Sequence, residues 1–373
     1  MLDGIRALGA LSVFATHAAV LSKSQSAPIY GRIAPHVGDV GLGMLMCVSA
    51  FLLYRPFVAA RHAEARRPTF RAFARNRVMR VVPAYWSALV LLSLYPGLKA
   101  VFSGDAWVYF GFLAPLRQEW AFNGLTPAWT LHVELVFYLS MATWAAIAIR
   151  ASKRGGAWTW RRELAVLALV WAGGNLFRVL VGVEGRHYLL ALINFPGYVD
   201  IFALGMALAL VHVRLQVGGR LPRAIAPLAK WPLASWTLAL ALFLGVVIGL
   251  DLPGDLAYPP TYSLGQWTAR HIMVGFAALL IVVPAIFSEG SSVVVRFLGW
   301  SWLRWMGLVS YGFYLYHLPI LRELENHGAR TWFHPAPLLG EVVVGVALSL
   351  ALAALSFYLI ERPFLARKSR ARA

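Results

Sequence analysis

The sequence carries little charge and a single cysteine. Asp, Glu, Lys and Arg make up 13% of its 373 residues, against roughly 25% in an ordinary soluble domain. Cys47 has no second cysteine to pair with, which excludes an intrachain disulfide, and no cysteine–histidine spacing typical of a metal site occurs. The composition also excludes a disordered chain and a soluble enzyme, because a soluble protein of this size could not bury so much apolar surface.

Apolar sequence fills most of the chain instead. Hydrophobic residues make up 60% of it, and the mean hydropathy is +0.65. Since a spanning helix needs about 20 mostly apolar residues, we predict an all-α, polytopic membrane protein with about ten transmembrane helices. The ten predicted segments are residues 4–22, 38–60, 78–98, 128–149, 163–181, 195–213, 232–250, 266–287, 308–321 and 338–360.

The distribution of positive charge predicts the orientation. Most of the 34 lysine and arginine residues fall in alternate connections, 55–80, 150–162, 214–230 and 288–306, and in the C-terminal tail. Connections rich in lysine and arginine stay in the cytoplasm, so both termini are expected there and the protein is expected in the inner, cytoplasmic membrane. The net charge of +18 therefore needs no nucleic acid partner.

Ionisable residues inside the predicted segments are candidates for function, because they are costly in a bilayer. A structural alternative stays open for each, since a charge at a helix end can reach the headgroups and a buried pair can hold helices together. The candidates are Asp3, Arg6, His17, Asp39, Glu134, Arg178, Asp200, His317, Glu341 and Glu361.

Arg6 and His17 are predicted to share one face of the first helix. Eleven residues at about 100° each come to within about 20° of whole turns, and the rise separates the two by roughly 16 Å along the axis. Asp3 lies near the same face, three residues before Arg6. An anion-binding group at the cytoplasmic entrance and an acid–base group deeper in the membrane suit a long substrate with a charged head. The alternative is that His17 is a satisfied core residue.

Two other groups of residues invite a chemical interpretation. Arg77 and Arg80 share a face at the predicted cytoplasmic mouth of the third helix, where two guanidinium groups could clamp phosphates; contact with lipid headgroups is the alternative. Glu134 could orient a histidine, bind an acceptor hydroxyl or pair with an arginine. His317 could be a second catalytic or orienting group, and Glu361 is interpreted as a structural pair or cap.

Six segments, in order and at matching spacing, carry a resemblance that covers nearly the whole chain. They are residues 2–8 with His17, 40–53, 77–86, 129–138, 310–319 and 361–363. Together they resemble the membrane acyltransferase-3 family. Its pattern of an arginine, ten residues and a histidine falls on Arg6 and His17, and its Arg-x-x-Arg pattern falls on Arg77 and Arg80.

The resemblance implies an integral-membrane O-acyltransferase. Such enzymes take an acyl group, often acetyl, from cytoplasmic acyl-CoA and pass it to a hydroxyl of a carbohydrate or glycosylated acceptor, such as an envelope polysaccharide. Acyl-CoA is expected as a substrate and no cofactor or metal as a resident group. Residues 1–373 are expected to form one membrane domain without a fused extracytoplasmic domain. A macrolide- or antibiotic-tailoring acyltransferase, and a transporter of a glycosidic or anionic solute, are the alternatives.

The resemblance also suggests roles for individual residues. Acyl transfer needs a base for the acceptor hydroxyl, and His17 has the chemistry for it. Glu134 or Asp39 would fix the tautomer of that histidine. The family's usual aspartate on the second helix is Gly43 here, and Asp39 lies one turn earlier. The residues expected to hold the donor phosphates are Arg6, Arg77 and Arg80, and the supporting candidates are Asp3, His317, Tyr314 and Trp129.

Overall fold

The chain folds as a bundle of α-helices, and no strand occurs in the part of the chain that is described. The structure is a computed structural model. It describes residues 1–21, 30–63, 65–66, 68–121, 123–153, 159–184, 193–250, 252, 262–290, 292–332 and 337–370. Residue 22 of the first predicted segment, and parts of the basic connections and tail, lie outside these residues.

Ten long helices are present among the described residues, and each predicted segment falls on one of them. Their bounds are α1 Leu2–Leu21, α2 Tyr30–His62, α3 Phe70–Leu94, α4 Trp129–Lys153, α5 Trp160–Glu184, α6 Val199–Gln216, α7 Pro232–Leu244, α8 Leu264–Phe287, α9 Ser301–Asn326 and α10 Pro337–Ser356. The helix α7 continues as a π-helical turn, Gly245–Gly249, and α10 continues as another, Phe357–Glu361, followed by the helix Arg362–Arg370.

Short helical turns connect these helices. One group lies between α3 and α4. The short elements are Ala106–Phe110, Ala114–Leu116, Gln118–Ala121, Thr126–Ala128, Phe195–Gly197, Ala226–Lys230, Val293–Leu298 and Ala329–Thr331.

The start of α3 lies eight residues before the predicted start. The side chain of Thr69 caps the helix by accepting a hydrogen bond from the backbone N–H of Ala72, at 3.2 Å. Arg77 and Arg80 therefore lie about two and three turns inside α3, whereas the predicted helix begins at residue 78. Both side chains are half-buried.

Eight helices in the described part of the chain are long and apolar enough to cross a membrane. The long helices α4 and α9 are not among them. In α9 the polar side chains of Ser310, Tyr314 and His317 lower the apolar content, yet all three are buried against other helices. A helix enclosed by protein can carry polar residues that a lipid-facing helix cannot, and this explains why hydropathy indicates α9 weakly.

The centre of the bundle is built around α1. This helix packs against α2 and α9, and α2 packs in turn against α6 and α8. Apolar side chains such as Phe14, Phe51, Phe202 and Phe313 fill the space between these helices. A smaller core joins α3 and α9 to the connection before α4. The candidate residues of α1, α3, α4 and α9 are thus brought to one region.

Close contact between α1 and α9 depends on Gly307. A Cβ atom at this position would overlap the backbone carbonyl of Asp3, and small residues permit such close approach of membrane helices. We expect Gly307→Val to lower the melting temperature and the yield of folded protein strongly, since overpacking costs about 1–3 kcal/mol or more. Gly173→Val on α5 is the control, because a Cβ there meets nothing within 4 Å. Equal melting of the two variants would contradict this account of the helix contact.

Candidate active site

A cavity of about 300 Å³ lies between α1, α2, α3, α4 and α9. Its wall combines apolar side chains of α2 with charged and hydroxyl-bearing side chains of the other four helices. The polar residues in its wall are Asp3, Arg6, Ser49, Arg77, Arg80, Thr130, Glu134, Tyr138, Ser310, Tyr311 and Tyr314. The cavity is large enough to hold part of an extended small molecule, not only ordered water.

The structure brings the three candidate donor-binding arginines into this one cavity. Arg6 forms an ion pair with Asp3 at 3.8 Å. The guanidinium of Arg77 lies over the rings of Phe73 and Tyr138, at 6.0 and 5.9 Å from their centres. The arginines thus face one space although they come from two different helices.

Part of the hydrogen-bonding capacity of these arginines is unused. Nε of Arg77 is buried and has no partner among the described residues. Arg80 forms no ion pair or hydrogen bond with the described part of the chain. Guanidinium groups with free donors in a partly buried cavity favour the binding of a phosphate or carboxylate, which accepts such bonds in pairs.

Carboxylates surround the arginines. Glu134 lines the cavity and accepts a hydrogen bond from the hydroxyl of Tyr138 at 2.5 Å. Glu361 is only 4% exposed, and its Oε1 atom has no hydrogen-bond partner in the described part of the chain. The Glu361 carboxylate interacts electrostatically with the guanidinium groups of Arg80 and Arg6. The interpretation of Glu361 as a structural pair or cap does not identify these arginines, because the turn Phe357–Glu361 packs against α3 in a contact that sequence does not reveal.

His17 and His317 form a direct pair. Nδ1 of His17 lies 2.8 Å from Nε2 of His317, and the ring centres are 5.0 Å apart. Nδ1 of His317 lies 2.7 Å from the backbone carbonyl of Tyr314. A carbonyl oxygen can only accept, so in the neutral ring this nitrogen carries the proton. Nε2 of His317 then accepts from Nδ1–H of His17, and Nε2 of His17 keeps a free lone pair.

Tyr314 connects the cavity to the histidine pair. Its side chain lines the cavity, and its ring centre lies 5.6 Å from that of His317. Its hydroxyl donates to the carbonyl of Pro127 at 3.2 Å and accepts from the hydroxyl of Thr130 at 3.0 Å. The cavity therefore ends one side chain away from His317, and His17 lies next to His317.

Neither carboxylate suggested as the partner of His17 contacts it. Asp39 pairs with Arg270, and its Oδ2 lies 3.5 Å from Nδ1 of His36. Glu134 lies in the arginine cavity and bonds Tyr138. Among the described residues, the polar partner of His17 is His317. The imidazole of His317 thus occupies the place expected for a carboxylate.

The remaining candidate residues lie outside the cavity wall. Trp129 packs against Tyr198, with ring centres 5.6 Å apart. Asp200 is bonded to His271 at 2.8 Å, and Arg178 donates to the carbonyl of Gly197 at 2.9 Å. Arg270 and His271 lie inside the predicted eighth segment but are not among the candidates. Their position among apolar residues is the sequence feature that could have identified them.

Comparison with known proteins agrees with the sequence motifs. The family model described as an acyltransferase domain matches residues 1–359. OatA of Listeria monocytogenes, named a peptidoglycan O-acetyltransferase, is 23% identical over 97% of this chain and 55% of its own length. YrhL of Bacillus subtilis is 24% identical over 97% of this chain and 54% of its own length.

A third relative has a similar length to this chain. The exopolysaccharide production protein ExoZ of Rhizobium meliloti is 25% identical over 90% of this chain and 92% of its own length. The chain spans about half the length of YrhL and OatA. No solved structure gives a significant match. The family match covers all five helices that build the cavity, and the chain therefore belongs to the acyltransferase-3 family.

Proposed function

We propose that the protein is a membrane O-acyltransferase that moves an acyl group, acetyl in the first instance, from acyl-CoA to a hydroxyl of a carbohydrate acceptor such as an envelope polysaccharide. One observation carries the proposal. A cavity with three convergent arginines reaches Tyr314, whose ring packs against His317, and His317 in turn bonds His17, whose Nε2 keeps a free lone pair. The family match and the names of OatA and ExoZ support the reaction class and the acceptor class.

The proposal includes a bundle of ten spans with both termini in the cytoplasm. The positions of all ten long helices agree with the predicted alternation of basic connections. In this orientation Arg6 lies toward the cytoplasm and His17 lies in the outer half of the inner membrane. A donor from the cytoplasm and an acceptor from the other side would then meet inside the protein.

The donor would bind by its phosphates. Arg6, Arg77 and Arg80 face one space, and Nε of Arg77 has no partner among the described residues. Asp3, Glu134 and Glu361 balance their charge when the cavity is empty, which lowers the cost of burying three cations. The thioester arm would run along α1 toward Tyr314, and rotation of that ring would open the last step to His17.

The transfer would use Nε2 of His17 as the base. As this atom removes the proton of the acceptor hydroxyl, the hydroxyl oxygen attacks the thioester carbonyl and forms a tetrahedral intermediate. The intermediate then breaks its bond to sulfur, and the thiolate takes the proton back from His17. The products are an ester and free CoA. His317 would keep His17 in the tautomer that leaves Nε2 bare.

Release of CoA tests the reaction. The purified chain in liposomes is given acetyl-CoA with and without a soluble glycan that has free hydroxyls. We expect free thiol to form faster with the glycan, in equal amount to the acetyl ester on the sugar. Accumulation of labelled acetyl-CoA or glycan inside the liposomes, with no ester and no thiol, would show a transporter and overturn the proposal.

A further inference from the structure

A second cavity lies on the other side of the arginine cavity's wall. This space of about 170 Å³ is a crevice between α3 and α4, here called the α3–α4 crevice. Several of its side chains face outward from the bundle; Phe70 is 62% and Leu139 is 54% exposed. The residues that line the crevice alone are Phe70, Phe73, Ala74, Val78, Val82, Phe112, Leu135 and Leu139.

A thin wall separates the crevice from the arginine cavity. The five side chains that line both spaces are Arg77, Val81, Leu131, Glu134 and Tyr138. On the crevice side, the residues outside this wall are all apolar. Whatever fills the crevice therefore supports Arg77 and Tyr138 from behind. A space of this kind suits an alkyl chain, because an apolar ligand loses nothing there and a polar one would lose its water.

Two exposed arginines lie beside the crevice. Arg71 and Arg75 follow Phe70 in the first turns of α3, and both are exposed. Val78 comes seven residues after Arg71, so Arg71 lies within about 20° of the stripe that carries the crevice residue Val78. Arg75 lies next to that stripe on the same side. The start of the crevice is thus flanked by cationic groups, and its interior is apolar.

We propose that the α3–α4 crevice binds one alkyl chain of an anionic glycerophospholipid whose phosphate lies on Arg71 and Arg75. Positive charge at the edge selects an anionic head over a zwitterionic one. The apolar lining accepts the chain, and the position beside α3 places the lipid in the cytoplasmic leaflet. This last point rests on the proposed orientation, while the site itself needs no assumption about the reaction. The bound lipid closes the wall of the arginine cavity from the bilayer side.

Native mass spectrometry of the detergent-purified full chain tests the head group. The protein is given an equal mixture of phosphatidylglycerol and phosphatidylcholine with identical chains. We expect about tenfold preferential retention of phosphatidylglycerol, and loss of this preference in the double variant Arg71→Gln with Arg75→Gln. The control is Arg214→Gln with Arg220→Gln, two exposed arginines at the end of α6 and beyond it, which should keep the preference. A preference that survives in the first variant overturns the assigned head-group contact.

A filled crevice tests the chain site. Ala74→Phe places a ring in the crevice, and Ala168→Phe adds the same ring to the exposed face of α5. We expect Ala74→Phe to lose retention of both lipids and Ala168→Phe to keep it, with similar melting temperatures. Val78→Trp serves the same purpose if Ala74→Phe does not fold. Equal lipid retention in the crevice and control variants overturns the site. Acyl-CoA is absent throughout, so a failure here leaves the proposed acyl transfer untouched.

Discussion

Replacing His17 by alanine is expected to reduce acceptor-dependent release of CoA by about 10²–10⁴-fold, the usual contribution of a positioned general base. The loss should fall on kcat, because His17 lies outside the arginine cavity that would hold the donor. Binding of acetyl-CoA to the purified variant, measured by isothermal titration calorimetry, should stay close to that of the unmodified protein. Initial rates of CoA release in liposomes, measured by thiol detection, give kcat for the variant and for the unmodified protein.

The control for this variant is His212→Ala. His212 is a half-buried histidine of α6 that packs edge-on against Phe51, with ring centres 5.4 Å apart. It does not line the arginine cavity. The variant His212→Ala removes the same type of side chain from another helix of the bundle. Because His212 lies outside the cavity wall, the rate of CoA release should hardly change. If His17→Ala keeps turnover near that of His212→Ala, His17 is not the base and the proposed chemistry is wrong.

Two variants of His317 test whether this residue sets the tautomer of His17. His317→Leu removes the acceptor of the His17 Nδ1–H bond, whereas His317→Gln can supply an amide oxygen in its place. A histidine held in the wrong tautomer is a poor base, so His317→Leu should lose at least about tenfold more kcat than His317→Gln. Equal rates in the two variants would mean that His317 does not set the tautomer.

Sequence patterns predict the helices well because the bilayer imposes length and apolarity on each one. Each of the ten predicted segments falls on a long helix, although the third helix ends at Leu94 and not at residue 98, and the ninth segment lies in α9. Sequence does not predict how the helices pack. For this reason the sequence indicates the carboxylates of Asp39 and Glu134 as partners of His17, although α9 brings His317 to it. Asp39 does not contact His17, because the fold pairs its carboxylate with Arg270.

The residues of the charged cavity are also only partly predictable from the sequence. The three arginines could be selected from spacing and resemblance, and the fold brings them to one space. Glu361 could not, since its role as a neighbour of Arg6 and Arg80 depends on the π-helical turn at the end of α10 packing on α3. The exact start of α3 also escaped prediction, because one capping threonine moves the helix start by two turns. Local chemistry is readable in sequence, while contacts between distant helices come from the fold.

The double variant Arg77→Gln with Arg80→Gln is expected to weaken acetyl-CoA binding by at least about 100-fold. A hydrogen bond to a charged group contributes about 1.5–3 kcal/mol, and two such losses amount to about 3–6 kcal/mol, where each 1.4 kcal/mol is tenfold. Glutamine keeps much of the side-chain volume, so the wall shared with the α3–α4 crevice stays filled. Calorimetric titration with acetyl-CoA measures the loss directly.

A matched pair of exposed arginines separates a donor clamp from general surface charge. Arg214→Gln with Arg220→Gln removes the same net charge on the same predicted side of the membrane, outside the cavity, and should leave the dissociation constant within about twofold. The clamp variant should recover much of its rate at saturating acetyl-CoA, because the phosphates are remote from the reacting thioester and their contacts act mainly on KM. If both double variants bind the donor equally well, Arg77 and Arg80 serve lipid headgroups or helix packing, and the donor must enter by another surface.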